Sequence, residues 1–151
     1  MSDDPTSLHP LLQRLLQQTG AAFLDDDSVD AWLALPGTAM LVFCDEPERQ
    51  KETLDMAVIV PELCVARPRA FRVGLLPAAL ARRIAPRFGF ARWPAFVMFR
   101  DGQWLGAVEG ILDWDVYVTE LDRLLAASPS RPPGVGIPVR AANRSETSCT
   151  P

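Results

Sequence analysis

A chain of 151 residues, 48% hydrophobic and 23% charged, holds enough apolar material for one globular core plus a tail. No apolar run approaches the roughly 18 residues of a membrane span, and the acidic start MSDDPTSLHP is unlike the basic head of a signal peptide, so a cytoplasmic protein without membrane insertion is expected. The net charge of −4 conceals blocks: residues 1–62 carry twelve carboxylates against three cations, whereas residues 63–100 carry eight arginines and no carboxylate.

The stretch 6–19, TSLHPLLQRLLQQT, predicts an amphipathic helix. Leu8, Leu11, Leu12, Leu15 and Leu16 share a stripe, Thr6 or Ser7 supplies the cap and Gly20 the stop. A short strand at 21–24 follows, and Asp25-Asp26-Asp27-Ser28 then opens a short helix that closes near Leu35-Pro36-Gly37. Residues 38–44, TAMLVFC, are continuously apolar between turn signals, the pattern of a buried parallel strand. After a charged, irregular stretch from Asp45 to Glu52, residues 55–66 read as a helix kinked at Pro61. Residues 69–76 suit a strand and 77–88 a helix opened by proline. The segment 93–110, WPAFVMFRDGQWLGAVEG, predicts a hairpin turning at Asp101-Gly102. The last predicted helix covers 113–127, with Asp113 as cap and Trp114, Val118, Leu121 and Leu125 facing the core.

From Ser128 to Pro151 the chain is rich in Pro, Ser, Gly and Arg without periodicity, so a disordered tail is expected after a domain spanning 1–127. Helices alternating with strands require a parallel section, and the terminal hairpin adds antiparallel strands. The fold class is therefore α/β, a central mixed sheet with helices on both faces.

The basic block raises the possibility of nucleic acid as a partner. Its arginines, however, spread over a strand, a helix and a strand, and Phe71, Phe88, Phe90 and Phe96 suit a core better than base stacking, so no nucleic acid is expected. The cysteines, Cys44, Cys64 and Cys149, form no close pair, and with one histidine, His9, neither a disulfide framework nor a metal centre is expected. Thiol exchange needs an attacking thiolate and a resolving partner, the former favoured by a helix N-terminus. Cys44 ends a strand, Cys64 lies late in a helix and Cys149 is in the tail, so two core thiols and one incidental one are expected.

The order of elements, with IAPRFGFARWPAFVMFRDGQWLGAVEGILDWDVYVTELDRLL at 84–125, resembles the thioredoxin family. The resemblance covers about residues 38–127 and sets Trp93-Pro94 at the family's cis-proline. Aligning Pro61 with the family's helix proline puts Thr53-Leu54-Asp55-Met56 where the Cys-x-x-Cys pair would stand, and neither end is cysteine. The leading leucine-rich segment, the acidic FCDEPERQKETLDMAVIVPEL stretch and the Trp-Pro strand start are similar to the redox-inactive accessory proteins of nickel–iron hydrogenase operons. That likeness implies a chaperone without enzymatic activity or cofactor. Its partner would be the hydrogenase small-subunit precursor, bound through its twin-arginine signal peptide, with other maturation accessory proteins as a second class of partner.

Such a client needs carboxylates beside an apolar surface, because guanidinium forks pair bidentately with carboxylates. Asp45, Glu46, Glu48, Glu52 and Asp55 supply the acids, and Met56, Trp93 and Pro94 the apolar part of a peptide-binding site. Plainer roles compete: a solvated loop for the acids, a helix cap for Asp55, a core position for Trp93. Two alternative functions stay open, a single-cysteine thiol-dependent redox protein and a structural adaptor using the arginine-rich 67–92 face.

Overall fold

In a computed structural model, which describes residues 5–132, five strands form one sheet. The strands are β1 (Ala22–Phe23), β2 (Thr38–Phe43), β3 (Arg72–Leu75), β4 (Ala95–Arg100) and β5 (Gln103–Glu109). Their spatial order is β1-β3-β2-β4-β5, with β1, β3 and β2 parallel and β4 and β5 antiparallel. The helices are α1 (Pro10–Thr19), α2 (Val29–Ala34), α3 (Thr53–Ala66), α4 (Ala78–Ile84) and α5 (Trp114–Leu125).

Alternation along the central strands sorts the core into two layers. Met40 and Val42 of β2, with Phe96 and Met98 of β4, point to the side of α1, α3 and α5, where Leu15, Val60 and Leu121 meet them. Leu41 and Phe43, with Val97 and Phe99, point to the side of α2 and α4, where Leu33, Leu80 and Phe88 meet them. A strand buried on both faces has no polar side, which is why TAMLVFC is apolar throughout. The hairpin turns on Asp101 (φ 52°) and Gly102 (φ 82°), both left-handed as a type I′ turn requires. Asp101 also accepts from the Gly37 amide at 2.7 Å, which pins the hairpin tip to the start of β2.

Several boundaries differ from the sequence expectation. Helix α1 begins at Pro10 rather than at residue 6, and its cap is His9, whose Nδ1 accepts from the Leu11 amide at 3.1 Å. Proline suits that first helical position because its missing donor would be unpaired there anyway. Of the leucine stripe, Leu12 and Leu15 are buried and Leu11 is exposed. Helix α3 begins at Thr53, so Asp55 stands in its first turn and is not the cap. The predicted 77–88 helix splits into α4 and a 3₁₀ turn, Ala85–Phe88, containing Pro86, which cannot donate to an α-helical ladder.

On α5 the core stripe is Tyr117, Leu121 and Leu124, while Trp114 is 43% exposed. The Tyr117 hydroxyl donates to the Gly110 carbonyl at 2.6 Å, turning that stripe inward and leaving Trp114 in the first turn outside it. At the end of the domain, Arg100 donates to the carbonyls of Leu125 and Ala127, and the Ser130 amide donates to the Trp104 carbonyl at 2.9 Å. The first residues of the expected disordered tail are thus laid along β5; residues 133–151 lie outside the described residues.

Candidate functional site

The site forms where the carboxyl end of β2, the loop 45–52, the start of α3 and the start of β4 meet. The peptide bond Trp93-Pro94 is cis, and Pro94 is buried with its carbonyl accepting from the Gly110 amide at 2.8 Å. Trp93 is half-buried, packed edge-on against Phe43 and Phe90 with ring centroids 6.2 and 5.5 Å away. The core reading of Trp93 is thus met in part: its ring packs on Phe43 and Phe90, and the residue remains partly exposed.

Gln50 ties the loop to this point. Its side-chain amide donates to the Trp93 carbonyl at 3.2 Å and to Glu52 at 3.3 Å. Thr53 is fully buried, and its hydroxyl donates to the Asp45 carbonyl at 3.0 Å, closing the loop on itself. Two open clefts flank Trp93. One, about 490 Å³, is lined by Asp45, Gln50, Arg82, Pro86 and Phe90; the other, about 300 Å³, by Glu52, Arg92, Glu109, Ile111 and Leu112.

The eight sequence-selected residues do not all reach that surface. Glu46, Glu48, Glu52 and Asp55 are exposed, and Glu52 shares a cleft with Trp93. Asp45 is partly buried and already paired: Arg82 approaches one oxygen at 2.5 Å and Arg49 the other at 3.8 Å. Met56 is only 1% exposed and belongs to the core with Val60 and Leu63, so it offers nothing to a ligand. Its inward direction follows from spacing, since Met56, Val60 and Leu63 sit one turn apart on α3. Gln50, Phe90, Arg82 and Ile111 border the clefts although none was selected; nothing local distinguishes them, because each arrives there through tertiary contacts.

Half of the arginine block, four of its eight members, is matched by acids from elsewhere in the chain. Arg82 pairs with Asp45, Arg83 with Asp26, Arg87 with Asp30, and Arg67 with Asp122 in a two-pronged contact at 2.7 Å. Arg72 lies half-buried over the Trp32 ring and donates to the carbonyls of Trp32, Leu35 and Pro36, capping α2. Phe88 and Phe96 are buried, as a core role requires.

Thiol chemistry is poorly served. Cys44 is buried, and desolvation together with the Asp45 charge pushes its thiol up to about 12. Burial also raises the half-buried Cys64 thiol, a cause that adds to its unfavourable place late in α3. Cys149 lies outside the described residues. Among the described residues there is no cluster of His, Cys, Asp and Glu fit to hold a metal, and no helix long and apolar enough to cross a membrane.

Two solved structures share the architecture. A mutant thioredoxin from Halobacterium salinarum matches with a TM-score of 0.56 at 16% identity, covering 72% of this chain and 94% of its own. A designed protein matches with a TM-score of 0.57 at 20% identity, covering 73% and 96%. These likenesses establish a thioredoxin-like fold. The family model for hydrogenase-1 expression protein HyaE matches residues 11–117. This chain belongs to the HyaE family. Among its relatives, the hydrogenase expression/formation protein HoxO of Cupriavidus necator is 42% identical over 135 residues, 88% of this chain and 84% of that protein. HoxO of Azotobacter vinelandii is 35% identical over 144 residues, 95% of each chain. HupG of Rhodobacter capsulatus is 32% identical over 120 residues, 79% of this chain and 87% of its own. The HyaE match takes in α3, the acidic loop before it and the Trp93-Pro94 bond, so the site lies inside the family's shared region.

Proposed function

We propose that this protein acts in hydrogenase maturation as a cytoplasmic, non-enzymatic chaperone that holds the small-subunit precursor by its twin-arginine signal peptide before export. The observation that carries this reading is the shared cleft of Glu52 and Trp93 beside the cis Pro94, with Glu46, Glu48 and Asp55 exposed on the loop and helix start that adjoin Glu52 in the chain. Paired guanidinium groups bind carboxylates bidentately, and the Trp93 ring and Ile111 offer apolar contact next to them. Each exposed ion pair is worth only about 0–1 kcal/mol, so several must act together with apolar burial. Membership of the HyaE family and relatives named for hydrogenase expression and formation support the choice of client.

The experiment is a titration of the purified chain with a synthetic hydrogenase small-subunit signal peptide at two ionic strengths. The expected result is a dissociation constant that weakens with salt, and weakens again when Glu46, Glu48, Glu52 and Asp55 become amides. Equal binding by that variant, or by a peptide with both arginines changed to glutamine, overturns the charge-pairing reading. The rival redox reading is disfavoured by the burial of Cys44. An insulin-reduction assay with dithiothreitol tests it, since turnover above background would restore it.

A further inference from the structure

Helix α3, TLDMAVIVPELCVA, is mostly apolar, with Asp55 and Glu62 its two charged residues, yet only part of its apolar surface is covered. Met56, Ala57, Val60 and Leu63 pack inward, while Val58 and Val65 are 62% and 74% exposed. Apolar side chains of a helix normally face protein, and Val58 and Val65 do not. Between α3 and α1 runs an open groove of about 700 Å³, walled by Leu11 and Arg14 of α1 and by Val58, Pro61, Glu62 and Val65 of α3. The outward stripe of α3 carries more than valines. Asp55 stands three residues before Val58 and Glu62 four residues after it, so acid and apolar groups alternate along one exposed face. At its N-terminal end this stripe meets the acidic loop that holds Glu46, Glu48 and Glu52.

We propose that the α1/α3 groove receives the apolar segment of the signal peptide, with the peptide's basic head directed to Glu52 and Asp55 at the start of α3. This inference rests on the function proposed above and deepens it by placing the apolar half of the client. A signal peptide is a basic head followed by about 7–15 apolar residues. Glu52 and Asp55 stand at the start of α3, just before Ala57 and Val58, where the groove begins on that helix, and acids ahead of an apolar groove complement that order. The dimensions agree as well: the 14 residues of α3 span about 21 Å, and a helical apolar segment of that length spans about 10–22 Å. Arg14 is the one cation lining the groove among the described residues, and it stands on the α1 wall opposite Glu62.

The test uses the full chain, a synthetic hydrogenase small-subunit signal peptide, and the same peptide with its apolar residues changed to serine and glutamine. Val58→Glu with Val65→Glu alters two exposed positions, so the fold is retained, checked by circular dichroism. The double variant should bind the intact peptide about tenfold or more weakly, because a carboxylate pressed against an apolar segment loses its water without gaining a partner. It should bind the apolar-depleted peptide as the parent chain does. Leu11→Gln, on the opposite wall, should weaken the intact peptide in the same sense. Unchanged affinity of the double variant overturns the inference while leaving the charge-pairing reading standing. Weakened binding by the double variant, but not by the carboxylate-to-amide variant, supports the groove for the apolar segment and overturns both the placement of the basic head at Glu52 and Asp55 and the charge-pairing reading. Absence of binding by the parent chain overturns both. A concentration-dependent dimer abolished by the double substitution, with peptide affinity unchanged, would assign the groove to a second copy instead.

Discussion

Arg82 of α4 sets a guanidinium nitrogen 2.5 Å from an Asp45 carboxylate oxygen, so the acid that follows the central strand is already held by an arginine of the same chain. A client arginine seeking Asp45 must therefore compete with Arg82. Arg82→Gln should tighten the signal peptide a few-fold, within the factor that a partly exposed pair worth about 0–1 kcal/mol permits. Asp45→Asn should weaken it. Calorimetric titration separates the cases, and identical affinities in both variants would confine Asp45 to a structural role.

Cys44 has a thiol pushed up to about 12 by burial and by Asp45, so at neutral pH it holds almost no thiolate, the species that reacts. Iodoacetamide added to the native chain at pH 7–8 should leave Cys44 unmodified, whereas the unfolded chain should label there fully. Peptide mass spectrometry reads the difference. Rapid native labelling at Cys44 would show that the β2 end opens to solvent.

Gly74, at the centre of β3, leaves no room for a side chain. A Cβ there would lie 2.8 Å from Trp32 Cη2 and 2.9 Å from Leu24 Cδ1, both from well-packed positions. Gly74→Ala should cost about 1–3 kcal/mol, the usual penalty of overpacking a core. Thermal unfolding should show a midpoint several degrees lower, and an added Trp32→Leu change should recover part of the loss.

His9 caps α1 through Nδ1, so the cap exists only while that nitrogen is free to accept. His9→Ala should cost about 0.5–2 kcal/mol by leaving the Leu11 amide without its partner. His9→Ser or His9→Asp, whose oxygens can take over the bond, should restore most of it in chemical denaturation.

Asp25 and Asp122 are held below the usual 3.8, Asp25 chiefly by hydrogen bonds from the Ser28 side chain and backbone, and Asp122 by Arg67. A carboxyl lowered in the folded state stabilises fully above its unfolded value, and that stability is lost as pH falls through the folded value. Melting temperature should therefore be insensitive to these groups at pH 6 and drop below about pH 4. Asp122→Asn should flatten the drop without altering the neutral plateau relative to Arg67→Gln, since both remove the same pair.

Much of the fold is legible from local pattern. The continuous apolar run of β2, the Asp101-Gly102 turn and the Pro61-bearing helix each declare themselves within a dozen residues, because burial and backbone conformation constrain composition at short range. The resemblance to thioredoxins set Trp93-Pro94 at the family's cis-proline position but left its isomer open, and the structure has it cis. Less of the site is legible. Met56 lies one residue from exposed Asp55, and whether it meets a ligand or the core depends on the rotation of α3 against the sheet, which spacing sets only once the packed face is known. Trp114 turned outward for the same reason on α5.

By itself the sequence determined the order of elements, the apolar identity of the central strands, and the absence of a dithiol at residues 53–56. All are properties of neighbouring residues. Only the tertiary structure decided which charges remain available. The basic block and the acidic segments, far apart in the chain, are brought together so that Arg82, Arg83 and Arg87 meet Asp45, Asp26 and Asp30. What began as opposed charge blocks becomes a surface on which paired arginines and carboxylates leave Glu46, Glu48, Glu52 and Asp55 exposed, because Coulomb pairing acts over distance in space and is blind to distance along the chain.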